Sequence, residues 1–123
     1  MPAKMILVVE DNAIQREGLA VILRQYGYTV SVLANGIEAT DYLQSGQIPD
    51  LILLDMMMPI CDGWRFLTQR TKNPALASIP VIIMTGLGNA SEEWATSLGA
   101  GGMVRKPLEV APLLTAIEKV FGK

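Results

Sequence analysis

Five side chains with chemical capacity stand where short apolar runs end. Glu10 and Asp11 follow Met5–Val9, Asp55 follows Leu51–Leu54, Thr85 follows Val81–Met84, and Lys106 comes just after Met103-Val104. Carboxylates crowded together resist ionisation. A hard divalent cation such as Mg²⁺ resolves the repulsion, being commonly held by one or two carboxylates with waters and phosphate oxygens. Lys106 adds a point charge suited to a phosphoryl oxygen, and Thr85 adds a hydroxyl donor. A carboxylate nucleophile, a metal and two oxyanion partners are the parts needed for phosphoryl transfer to an aspartate. One strand-end acid alone is ordinarily a solvated loop residue or a helix cap; three acids, a hydroxyl and an ammonium at one edge make a site.

For these residues to meet, the apolar runs must be neighbouring strands of one parallel sheet, buried on both faces. Ligands of open α/β sheets bind at the carboxyl ends of the strands. Strand and helix patterns do alternate along the chain. After Met5–Val9, Asn12 caps a helix whose stripe is Leu19, Ile22, Leu23 and Tyr26, ending at Gly27. Thr29–Leu33 is the second strand, and Asn35-Gly36 turns into a short helix with Ile37, Thr40 and Leu43 on one side. Leu51–Leu54 is the third strand. After Gly63 a helix carries Trp64, Phe66 and Leu67 and stops near Asn73-Pro74. Val81–Met84 is the fourth strand, and Ser91 caps a helix that runs to Gly99. The fifth strand is weak, only Met103-Val104 after Gly101-Gly102. The last helix places Val110, Leu113, Leu114, Ile117, Val120 and Phe121 at helical spacing. Five strands, five helices and right-handed crossovers give a doubly wound α/β fold. Composition alone leaves the strand order open. Both tryptophans, Trp64 and Trp94, are expected to be buried.

The totals fit this frame. At 123 residues, half of them apolar, the chain suits one domain over 1–123. A net charge of -2 and the lack of any basic stretch give no footing for nucleic acid. Arg105 reads as a solvated surface charge. Cys61 is alone, so no internal disulfide can form, and a reducing cytoplasm is the expected compartment. No apolar run approaches the ~20 residues needed to span a bilayer. The chain has no histidine, which excludes His-based triads, His-ligated zinc and a phosphohistidine of its own.

Taken together, the motifs resemble the receiver domain of two-component response regulators, of the stand-alone chemotaxis-regulator kind, over essentially the whole chain. The residues that carry the likeness are Glu10-Asp11, the run from Asp55 to Gly63, Thr85-Gly86, and Gly99-Ala100 ahead of Lys106-Pro107. The resemblance implies a flavodoxin-like five-stranded sheet of order 2-1-3-4-5 with five flanking helices. It implies that Asp55 takes a phosphoryl group from a sensor histidine kinase or a histidine phosphotransferase. Mg²⁺ would be held directly by Asp11 and Asp55, through water by Glu10, and by the backbone carbonyl of Met57. Lys106 would pair with Asp55 and then with the phosphoryl oxygens, which Thr85 would move inward to meet. The Lys106-Pro107 bond would be cis. The protein would be a signalling switch with self-phosphorylation and autophosphatase activity, either monomeric or dimerising on phosphorylation. A downstream protein would bind the face made by the fourth helix, fifth strand and fifth helix.

Three departures bear on that picture. Receiver domains usually place Tyr or Phe three residues before the Lys as a rotamer switch; here Met103 stands there, flexible and without a ring. Gly101-Gly102 loosen the approach to the fifth strand, so a weaker, more order–disorder-like change of that face is expected. Met57 and Leu87 flank the site, where bulky apolar side chains should hinder an attacking water and lengthen the phosphoryl lifetime. A rival reading, an Asp-nucleophile hydrolase of the haloacid dehalogenase type, needs a second Asp two residues after the nucleophile, and this chain has Met57 there. The last helix runs almost to the end of the chain, so the expectation is a stand-alone receiver or one cut from a larger regulator or hybrid kinase.

Overall fold

The computed structural model describes residues 3–56 and 63–122. Five parallel strands make one sheet, β1 Met5–Val9, β2 Thr29–Leu33, β3 Leu51–Asp55, β4 Val81–Thr85 and β5 Gly102–Arg105, in the order β2-β1-β3-β4-β5. This is the order the family likeness implied. The chain winds one way from β1 to β2 and the other way from β3 onward, so the crevice beyond β1 and β3 is the topological switch point.

Period two along each strand sorts the core into two layers. Leu7, Val9, Ile52, Leu54 and Ile83 face one side, where Ala39, Leu43, Phe66, Leu67 and Ala95 cover them. Ile6, Val8, Leu53, Ile82 and Met84 face the other, beneath Leu19, Leu23, Leu113 and Ile117. The strand residues Ile6–Val9, Leu51–Leu54 and Val81–Met84 are all fully buried. Each such aliphatic contributes roughly 1.5–3 kcal/mol of burial. That is why the central strands hold their carboxyl ends in fixed register.

The covering helices are α1 Ala13–Gln25, α2 Gly36–Gln44, α3 Gly63–Thr71, α4 Pro74–Ala77, α5 Glu92–Ser97 and α6 Val110–Val120. Asn12, Asn35 and Ser91 cap α1, α2 and α5 by accepting from the amides of Gln15, Glu38 and Trp94. Among the described residues, six helical segments replace the expected five. Asn73-Pro74 does end α3, but Asn73 then accepts from the Ala75 amide and Pro74 opens the single turn α4. The face expected for a partner is therefore α5–β5–α6. The fifth strand is also longer than Met103-Val104, because pairing with β4 extends it from Gly102 to Arg105.

Five burial expectations need correcting, two of them at the ends of apolar stripes, where Tyr26 at the end of α1 and Val110 at the start of α6 are exposed. Trp64 is 40% exposed, because the inward face of α3 is taken by Gly63, Phe66, Leu67 and Arg70. Trp94 is only half-buried, since Ala95 occupies the core position of α5; the two indoles pack edge to face, 5.4 Å apart at 71°. On α2 the inward side is Gly36, Ala39 and Leu43, which turns Ile37 outward at 52% exposure. Among the described residues no helix is long and apolar enough to cross a membrane.

Candidate functional site

The sheet brings the five residues singled out by sequence to one edge. Glu10 continues β1, its amide donating to the Leu33 carbonyl of β2, while Asp55 and Thr85 are the last residues of β3 and β4. Lys106 follows β5, and its amide donates to the Thr85 carbonyl at 2.8 Å. Glu10, Asp55 and Thr85 are buried, whereas Asp11 faces solvent. Each of Glu10, Asp11 and Asp55 offers a carboxylate oxygen, and the three oxygens lie within 4.8 Å of one another.

Lys106 ties this cluster together. Its Nζ sits 3.2 and 3.1 Å from the two Glu10 oxygens and 3.3 Å from Asp55 Oδ2. Burial pushes the Glu10 carboxyl up from 4.5 to about 7, with the neighbouring Asp55 adding to the rise and Lys106 opposing it. Burial alone would lower the Lys106 ammonium, but Asp55 and Glu10 outweigh it and hold Lys106 above its ordinary value. The Lys106-Pro107 peptide is cis, as the family likeness implied.

Local sequence explains how the carboxylates are aimed. A Cβ on Gly63 would lie 2.6 Å from Met56 Sδ, 2.7 Å from Met56 Cα and 3.0 Å from the Asp55 carbonyl oxygen, so only glycine lets α3 start this close to the end of β3. Arg16 reaches back from α1 and donates from Nη1 to the carbonyls of Glu10 (2.8 Å) and Asp11 (3.4 Å), fixing the backbone that carries both acids. Sequence reasoning passed over Arg16; its signal was a long basic side chain in the first turns of a helix entered directly from the acidic pair.

Arg105 was also missed. Its guanidinium donates to the carbonyls of Leu87 (2.9 Å), Gly88 (3.5 Å) and Ala90. Thr85 Oγ1 accepts from the Leu87 amide at 3.0 Å. Met57, expected to offer a backbone carbonyl, lies outside the described residues. The donor set is all oxygen, and the crowding of Glu10 against Asp55 is reflected in the raised Glu10 carboxyl. Such a site fits a hard divalent cation in the manner of Mg²⁺.

Comparison with known proteins agrees with the geometry. The family model for the response regulator receiver domain matches residues 6–118. The chain belongs to the response regulator receiver domain family. Protein PilH of Pseudomonas aeruginosa is 31% identical over 118 residues, covering 95% of this chain and 97% of that protein. The receiver domain of sensor histidine kinase PA1611 from Pseudomonas aeruginosa PAO1, solved with a magnesium ion in its active site cleft, superposes with TM-score 0.87 at 27% identity over 98% of this chain and 99% of that one. The chemotaxis response regulator CheY4 of Vibrio cholerae gives 0.86 at 26% identity over 96% and 98%. Other curated relatives are longer: the chain spans 53%, 47% and 16% of three of them.

Beside the site, this receiver has a groove of about 950 Å³ between α5, β5 and α6, lined by Glu92, Gly102, Met103, Arg105, Thr115 and Lys119 among others. Met103 is half-buried there and packs against the core layer that holds Ala95 and Ala100.

Proposed function

We propose that this receiver, as one unit over residues 1–123, is a phosphoacceptor that takes a phosphoryl group on Asp55 from the phosphohistidine of a cytoplasmic sensor kinase or histidine phosphotransferase. The observation that carries the reading is Asp55 Oδ2 lying 3.3 Å from Lys106 Nζ inside a cluster of three carboxylates at the switch point of the sheet. In the transfer, an Asp55 carboxylate oxygen bonds to phosphorus, the P–N bond of the donor breaks, and its electron pair returns to the imidazole. Lys106 then meets charge on the phosphoryl oxygens, and the Thr85 hydroxyl donates to one of them. Asp11 and Asp55, with Glu10 through water and the Met57 carbonyl, would hold Mg²⁺. When bound, that ion neutralises charge on the transferring group.

The test is incubation with a small phosphodonor and Mg²⁺. An acid-stable, alkali-labile phosphate should appear on the parent protein and be absent from Asp55→Ala. A variant that still takes the label defeats the assignment.

The read-out falls to the α5–β5–α6 groove, where a downstream protein would dock. With Met103 in place of a swinging ring, the change there should be a loosening or tightening of this face. A large rigid shift of its backbone NMR signals on adding a phosphoryl mimic would contradict that. Leu87, exposed beside Thr85, should slow attack by water, and Leu87→Ala should shorten the phosphoryl lifetime.

A further inference from the structure

Arg105 does not behave as the solvated charge its sequence context suggests. It stands directly across the β4–β5 pair from Thr85. From there its guanidinium reaches the carbonyls of Leu87, Gly88 and Ala90. The loop after Thr85 is therefore gathered onto one side chain. The Leu87 residue is pinned twice: its carbonyl accepts from Arg105, and its amide donates to the Thr85 hydroxyl oxygen at 3.0 Å. A hydroxyl that accepts one hydrogen bond keeps its own proton to donate, and the accepted bond restricts the rotation that decides where that proton points. The route from Arg105 to Thr85 thus consists of one guanidinium, one residue and one hydroxyl.

We propose that Arg105 is a positioning residue for phosphoryl transfer, acting through Leu87 to aim the Thr85 hydroxyl. The inference rests on the phosphoacceptor reading above. Arginine is suited to the task because its planar fork can bind several carbonyls at once, whereas an ammonium is a point charge on a flexible stem. The groups this clasp holds are the carbonyls of Leu87, Gly88 and Ala90, so it should govern the hydroxyl without altering the carboxylates of Glu10, Asp11 and Asp55.

Two measurements on the whole chain test this. Phosphorylation by acetyl phosphate with Mg²⁺ is compared in the parent, Arg105→Met, Arg105→Lys, Thr85→Ala and the Thr85→Ala/Arg105→Met double variant. Arg105→Met should be slower by roughly three- to tenfold, Arg105→Lys should fall between it and the parent, and Arg105→Met should add no loss once Thr85 is gone. Amide hydrogen exchange at Leu87, read without any phosphodonor, should accelerate in Arg105→Met by about tenfold or more as the loop is released. An equal loss in both Thr85 backgrounds, an unslowed Arg105→Met, or unchanged Leu87 exchange would overturn the proposal. A parent protein that takes no phosphate sinks the underlying reading and this inference together, a result distinct from additivity in an active parent.

Discussion

The carboxylate pocket and the α5–β5–α6 groove border the same strand, yet they are built under opposite constraints. In the pocket, Lys106 is shared between two buried acids, and Gly63 leaves no space for even a methyl group. In the groove, a Cβ on Gly102 would meet only Ile82 Cγ1 at an ordinary 3.5 Å, and a Cβ on Gly101 would find nothing closer than 3.8 Å. Met103 adds a side chain without a fixed shape. The difference teaches that the carboxylate pocket of this receiver rests on positions that tolerate little, while the groove rests on positions that tolerate much.

The largest effect should come from Lys106→Met, which leaves Glu10 and Asp55 buried without their cation. Urea unfolding at pH 8 without divalent ions should show a loss of ~3 kcal/mol. A loss under about 1 kcal/mol would break the contrast, since surface pairs give that much. Gly63→Ala should follow, costing about 1–3 kcal/mol by overpacking against Met56, most of it backbone contact that cannot rotate away.

Next is pH. The folded Glu10 carboxyl titrates near 7, against an ordinary 4.5, so the folded chain holds its proton more tightly than the unfolded one. The stability this group lends is complete below pH 4.5 and is lost as pH rises through 7. The urea midpoint should therefore fall between those limits in the absence of Mg²⁺. Added Mg²⁺ should offset the fall and bind more tightly as the pH climbs, and Glu10→Gln should flatten this contribution. A midpoint that instead rose through this window in the parent, with no such flattening, would remove the crowded-carboxylate account. The smallest effect belongs to the groove: Gly102→Ala should stabilise by roughly 0.5 kcal/mol through the unfolded chain, and a clear loss would mean the groove is as tightly built as the pocket.

What could be read in advance follows the same division. Strands buried on both faces spell themselves as unbroken apolar runs, so Leu51–Leu54 and Val81–Met84 announced both the core and the residues at their ends. Short helices carry too few turns to fix their phase. On α2 and α3 an apolar residue one step off the inward face, Ile37 or Trp64, reads like a core residue until the neighbours are known. Asn73-Pro74 looked like a stop because the same pair can end one helix and cap the next. Arg16 and Arg105 escaped because their partners are backbone carbonyls, which leave no mark in a sequence.

The indole pair gives this chain an optical property of its own. Trp64 and Trp94 are its only two tryptophans, one on α3 and one on α5, and they meet edge to face at 5.4 Å. Chromophores so close couple in their electronic transitions, and the near-ultraviolet dichroism of such a couplet depends steeply on separation and tilt. Any slide of α5 past α3 is thus written into the near-ultraviolet dichroism of the unlabelled protein.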